Sequence, residues 1–468
     1  MRAAIACSCA IAACLVVRGA AGACARPTDP GGTGGYTYGA ETVRSFGTTD
    51  VLVFYVTNGP HAVNTATTRG DGVPDDVAKV AEVTSDALAS YAKMGYRPPV
   101  SDATNPSCGS NGGDGRFDVY LVHMIGGDGT TVAESDRCTT AGAARQCASF
   151  VYAQANYAEI YPTSEIGIRT VLPHETFHAV QNAYDASLDR FWAEGTAQWA
   201  AKTLDPSLTD LERFLPAFFA QTSRSLDAPS NGVTASFLYG AAIWPVFLTQ
   251  RHGDAIVRSI LEREGEAGGP ALAAADSALK LESSSLAAEV PLFAAWNAAT
   301  GARAAAGGYP NAASYPVVSV ADLPAGGAQG ITSGLASYFF HAKVDAPVTV
   351  SLDTNASRNA GLLLPLADGK ARIDGALPLP ARLDGEGIVV VSGITSDKTD
   401  APFAVSLAPI ADAGADAAPP ASTTGAPSSG SSGGCAVSRR GSRVRPFDLA
   451  PIVALGLLVL RRRSRAGR

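Results

Sequence analysis

The chain has 468 residues, 46% of them apolar and 17% charged, with a formal net charge of −7. That length accommodates two or three domains, and that apolar share excludes a wholly disordered chain. The acidic balance disfavours nucleic acid as a partner.

Residues 1–23 read as a signal peptide: Arg2, an apolar run over 3–17, then small residues up to Ala25. Cleavage after Ala23 or Ala25 satisfies the small-x-small rule. Cys24 raises a lipoprotein reading, but Ala21 stands where a lipobox needs a large aliphatic residue. An exported chain permits disulfides. Of the eight cysteines, Cys7, Cys9 and Cys14 fall in the signal and Cys435 in the tail. Cys24, Cys108, Cys138 and Cys147 remain, and Cys138 with Cys147 is the favoured pair, spanning a polar loop over 137–147. No C-x-x-C spacing for a metal occurs.

The body begins with a Gly-rich lead over 30–39. Residues 51–57 (Val-Leu-Val-Phe-Tyr-Val-Thr) predict a strand by β-branched and aromatic content. Pro74 suits the first position of a helix whose apolar face is Val77, Val80, Ala81, Leu88 and Tyr91. Further strands are predicted within 115–123 and 149–152. Three Asp/Gly-rich turns, 71–76, 111–118 and 126–128, are candidates for Ca2+, which favours clustered oxygens on tight turns. None has the EF-hand spacing, and ordinary turns are the alternative.

The chain's chemistry centres on 171–181, Val-Leu-Pro-His-Glu-Thr-Phe-His-Ala-Val-Gln. It holds the pattern H-E-x-x-H: His174, Glu175 and His178. On a helix, i and i+4 share a face, so both imidazoles can point at one metal ion, and Glu175 is placed to take a proton from a water there. Two of the chain's six histidines are in this motif. Pro173 allows two readings: a helix starting at Pro173, or one starting after Ser164 with a kink at Pro173. A metzincin extension is excluded, because Gln181 and Tyr184 stand at its Gly and His positions. Sixteen residues after His178, in Trp192-Ala-Glu-Gly-Thr-Ala-Gln-Trp199, Glu194 is the candidate third ligand, on a helix over 194–202. Two His and one Glu leave the fourth Zn2+ position open, as a catalytic site requires. Asn182, Asp185 and Gln198 are candidate partners orienting the ligand histidines.

This arrangement resembles the gluzincin metallopeptidases. The stretch 48–198 also resembles a motif-assigned family of exported metallopeptidases. The matching pieces are Val53-Phe-Tyr-Val-Thr-Asn-Gly-Pro60, Asp71-Gly-Val-Pro-Asp75, Asp118-Val-Tyr-Leu121 and the two helical motifs, with Trp296-Asn-Ala-Ala-Thr-Gly-Ala-Arg303 further on. Thr67, Thr68 and Arg69 depart from the acids usual in that family. The resemblance implies a zincin-like α+β catalytic domain over 24–310, a sheet lobe followed by a helical lobe over 211–296. It implies a zinc peptidase acting on peptide or protein substrates, with Glu175 as the catalytic base. It also implies a Tyr or His from the helical lobe at the oxyanion. Tyr239 is the candidate, a packing role beside Trp244 is its alternative, and His252 is the second choice. His61, His123 and His341 are read as structural.

Residues 311–410 alternate in short β-like runs separated by turns, predicting a small all-β sandwich as an accessory domain. Residues 411–434, rich in Ala, Pro, Ser and Gly, read as a flexible linker. Residues 435–468 combine Cys435, a short apolar run over 449–460 and an Arg cluster at the end. This tail resembles the MYXO-CTERM type of sorting signal, which implies processing at Cys435 and display at the cell surface. A plain C-terminal membrane anchor is the alternative. A non-catalytic adhesion or scaffold protein on a zincin fold is the second reading of the whole chain; the intact ligand set and Glu175 argue against it.

Overall fold

The computed structural model describes residues 26–29, 35–103, 111–230 and 235–410. The signal peptide, Cys24, Cys108, the linker and the sorting tail lie outside the described residues. No helix among the described residues is long and apolar enough to cross a membrane. The fold is mixed α and β, with three sheets.

The first sheet contains β1 (Arg44–Gly47), β2 (Val51–Tyr55), β3 (Phe117–Val122), β4 (Gly129–Ala141) and β5 (Ala144–Gln154), in the order β1-β2-β3-β5-β4. The three central strands run parallel, and β1 and β4 flank them antiparallel. Every residue of β2 and β3 is buried, because both faces are covered. Buried parallel strands read as unbroken apolar runs, which is why the sequence shows them. On one face Val51, Val53, Val119 and Val151 pack against Val77 and Val80 of α1 (Asp75–Lys93) and Ile168 and Leu172 of α2 (Ser164–Asn182). The other face is an aromatic layer of Phe54, Tyr120, Phe150 and Tyr152 with Tyr38.

The N-terminal segment locks onto that layer through Arg26, which is 1% exposed. Its guanidinium reaches Asp118 of β3, Asp102 at 2.5 Å and Glu134 of β4 at 2.9 Å. It also lies over the Phe150 ring at 5.1 Å. Burial raises the Asp118 carboxyl to about 8, with Arg26 opposing and Asp102 reinforcing the rise.

The hairpin of β4 and β5 corrects the reading of a polar loop over 137–147, while the turn read at 126–128 ends where β4 begins at Gly129. Residue 128 does precede a strand, but β4 then runs 13 residues. Two causes hid it. As the edge strand it keeps a half-exposed polar face, and its register shifts between Ala133 and Cys138, which breaks the alternation. Cys138 and Cys147 face each other across the hairpin in a disulfide, the favoured pairing.

A helical layer follows: α3 (Arg190–Leu204), α4 (Asp210–Phe219), α5 (Ala235–Gly240), α6 (Ile243–His252), α7 (Ala255–Ala267), α8 (Ala271–Leu281) and α9 (Leu286–Ala298). Trp192, Trp244, Phe247 and Phe293 centre its core. At Gly240 a Cβ would stand 2.6 Å from the Phe214 carbonyl oxygen, so glycine lets α5 seat directly on α4.

Ten strands complete the described chain: β6 (Ala321–Asp322), β7 (Ala328–Ser333), β8 (Ser337–Lys343), β9 (Val348–Thr354), β10 (Asn359–Ala367), β11 (Lys370–Ala371), β12 (Leu377–Pro378), β13 (Ala381–Leu383), β14 (Glu386–Gly393) and β15 (Asp400–Pro409). One sheet runs β11-β10-β14-β8-β6 with β12 beside β10, the other β13-β9-β15-β7. They share a core of Val350, Leu363, Val389, Val391 and Phe403. Alternate residues of β14, Ile388 and Val390, face the other way and join the cluster that contains Phe293 and Trp296 of α9. The sheet pair is therefore seated on the helical layer through a continuous apolar core.

Candidate metal centre

Helix α2 starts at Ser164, where the Thr163 hydroxyl caps the Ile166 N–H at 3.2 Å. Of the two readings left open by Pro173, the longer helix is the one formed. Pro173 sits inside it, and its carbonyl accepts from Tyr91 Oη at 2.9 Å. His174 and His178 are thus a full helical turn apart in mid-helix, with Nε2 atoms 3.0 Å from each other.

Helix α3 packs against α2 and starts four residues earlier than the sequence suggests. Glu194 is therefore in its second turn rather than at its start. No side chain caps α3; Asp189, at the cap position, accepts instead from the Ala271 N–H at 2.9 Å. Burial of Phe191 and Trp192 fixes the added turn, a tertiary effect without a local signal. Glu194 Oε2 lies 3.4 Å from His174 Nε2 and 3.5 Å from His178 Nε2. Among the described residues these three form the one convergent group of metal-ligating side chains.

The group fits Zn2+. Tetrahedral bonds to N and O at about 2.05 Å put neighbouring ligand atoms about 3.3 Å apart. The three separations here are 3.0, 3.4 and 3.5 Å. Glu194 Oε2 is buried and has no hydrogen-bond partner, an expensive state for a carboxylate unless a cation faces it. Without a metal, burial opposes charge on His178, but the Glu194 and Glu175 carboxylates and Gln181 override it and raise the imidazole to about 9. Burial likewise opposes the Glu194 carboxylate, yet the two imidazoles hold its pKa well below the usual range.

Gln181 is the residue that orients His178. Its Oε1 lies 2.7 Å from His178 Nδ1, while its Nε2 donates to the Ala193 carbonyl at 2.8 Å and Thr196 Oγ1 at 2.7 Å. One amide therefore fixes the His178 ring on α2 and ties it to the helix that carries Glu194. The three sequence candidates do other work. Asn182 donates to Ser149 Oγ, Asp185 accepts from the Arg145 N–H, and Gln198 donates to Asp210. Gln181 has a sequence signal as the i+3 neighbour of His178, one helical turn on and on the same face.

Glu175 is 6% exposed, and burial raises its carboxyl above the usual range, with His178, His174 and Thr131 opposing. Thr131 of β4 reaches its carboxyl group. The strand comes that close because residue 129 is glycine: a Cβ there would lie 2.5 Å from Val171 Cγ1 and 2.7 Å from Glu175 Cγ. No sequence signal marked Thr131, since β4 itself was not read.

Tyr239 of α5 is brought to the site. Its ring is stacked on Phe214 at 4.8 Å and lies 6.1 Å from the His174 ring. His252 is not; its Nε2 is 3.2 Å from Glu289 Oε1. His61 accepts from the His123 N–H, and His341 lies beside Glu386. In the three Asp/Gly turns the carboxylates take protein donors: Asp71 from Arg69, Asp114 from Arg116, Asp118 from Arg26 and Asp128 from Tyr161. Neither a known family model nor a curated protein matches the chain.

Proposed function

We propose that this is an exported zinc metallopeptidase of gluzincin type, anchored at the cell surface by its C-terminal tail. The observation that carries the reading is the triad spacing: His174, His178 and Glu194 stand at the separations of zinc ligands, with Glu175 buried beside them. A bound Zn2+ supplies Lewis acidity and lowers the pKa of a coordinated water toward neutrality. The protein supplies the rest. Gln181 Oε1 accepts the His178 Nδ1 proton, which leaves the Nε2 lone pair for the metal. Glu175 takes a proton from the water that attacks the peptide carbonyl and delivers it to the leaving amine as the C–N bond breaks. The Tyr239 phenol, beside His174, donates to the developing oxyanion.

A peptide substrate is supported by β4. This strand is at the sheet edge and passes Glu175, so an extended peptide can add beside it through main-chain hydrogen bonds. The mixed sheet with α1 and α2 on one face, followed by a helical layer, supports a zincin-like architecture. The test is hydrolysis of an unfolded protein by the zinc-loaded full chain, beside its Glu175→Gln variant. Cleavage by the parent and loss of about 10²-fold or more in the variant supports the reading. Equal rates in both overturn it.

A further inference from the structure

The Thr131 hydroxyl is 2.7 Å from Glu175 Oε2 and also 2.7 Å from the Glu175 carbonyl oxygen. Among the described residues this is the hydrogen bond that the Glu175 carboxyl group makes. The carbonyl does not need it, because it already belongs to the hydrogen-bonded interior of α2. A carboxylate whose side chain has three torsions requires a fixed partner to keep one orientation, and the same hydroxyl that docks the strand onto the helix provides it. Two features make the partner rigid. Thr131 is β-branched, in an extended strand that restricts its χ1. Gly129, two residues away on the same face of the strand, leaves the space that the Glu175 Cγ and Oε1 atoms fill; a Cβ there would be 2.7 and 2.9 Å from them.

We propose that Thr131 is a positioning residue for Glu175. The edge strand aims the carboxyl group by one side-chain hydrogen bond, with Gly129 providing the slot. This rests on the reading of Glu175 as the base of a peptidase, but the placement itself is observable without turnover. The strand beside the substrate path thereby also sets the base, so the reacting group and the peptide-binding edge keep a common register.

The test compares the full chain with Thr131→Val, which keeps shape and β propensity, and Thr131→Ser, which keeps the hydroxyl. Crystal structures and steady-state peptide hydrolysis are recorded for all three. In Thr131→Val the Glu175 carboxyl leaves its position, kcat falls about 10- to 100-fold and KM stays within about twofold. Zinc stoichiometry is unchanged in both variants, and Thr131→Ser restores the carboxyl position and most of kcat. A carboxyl group that stays in place in Thr131→Val overturns the proposal, whatever the activity. A displaced carboxyl in a chain whose parent cleaves nothing upholds the positioning and removes the peptidase reading instead.

Discussion

Gln181 Oε1 meets His178 Nδ1 at 2.7 Å, on the ring nitrogen opposite the one that faces Glu194. The same amide donates into α3. Replacing it by Leu keeps the volume and removes all three contacts. Gln181→Leu is expected to weaken zinc binding about 10- to 100-fold, the usual cost of losing such a partner. Competition with a chromophoric chelator measures it, and unchanged affinity would show that the amide serves packing alone.

With Zn2+ at the proposed site, a proton competes with it for His178. The metal-free imidazole is raised to about 9, so below that pH zinc must displace a proton, and apparent affinity falls by about tenfold per pH unit. In Glu194→Gln the largest raising contribution is gone, while Glu175 and Gln181 remain, and the onset moves to lower pH. Zinc titrations at several pH values in the parent and the variant give the two slopes. Coincident onsets contradict the assignment of the shift to Glu194.

Glu264 is a buried carboxylic acid that is 1% exposed. Its Oε2 accepts from Trp192 Nε1 at 3.1 Å, and its Oε1 has no partner. Burial raises it to about 9, with Trp192 opposing and Asp189 and Asp185 adding to the rise. The folded state therefore keeps a proton that the unfolded state releases above about pH 4.3, so this contribution to stability is full below that pH and declines up to about 9. Glu264→Gln abolishes the decline. Denaturant midpoints should diverge in favour of the variant as pH rises from 5 to 9, by at most about 1.4 kcal/mol per pH unit. Parallel pH profiles would contradict it.

Arg26 holds β3 and β4 through Asp118 and Glu134 with no more than 1% of its surface exposed. Arg26→Met keeps an unbranched apolar side chain but removes the guanidinium from Phe150 and from the carboxylates. Breaking a buried pair from one side costs about 3–5 kcal/mol. Urea unfolding of the full chain checks this. A loss under about 1 kcal/mol would mean that Arg137, 2.7 Å from Glu134, suffices alone.

The residues that converge between α2 and α3 were legible because their signal is compositional and periodic. His174, Glu175 and His178 are fixed by i,i+4 spacing, and Glu194 by a compact second motif. Val51, Val53 and Val119 betrayed their strands because buried parallel strands are apolar throughout. The positioning machinery was not legible. Thr131 and Gly129 belong to a strand whose polar, bulged sequence carries no alternation, and their meaning comes only from contact with Glu175, 44 residues away for Thr131. Arg26 carries no local signal, and only the fold brings Asp102, Asp118 and Glu134 around it. Asn182, Asp185 and Gln198 had suitable chemistry near the motif but point to Ser149, Arg145 and Asp210.

The proposed function depends on one zinc ion held between α2 and α3. Anomalous diffraction at the zinc absorption edge, from crystals of the zinc-loaded full chain, tests that directly. The account predicts one peak within about 2.0–2.2 Å of His174 Nε2, His178 Nε2 and a Glu194 carboxylate oxygen together. A peak elsewhere, or none at this site, would contradict it.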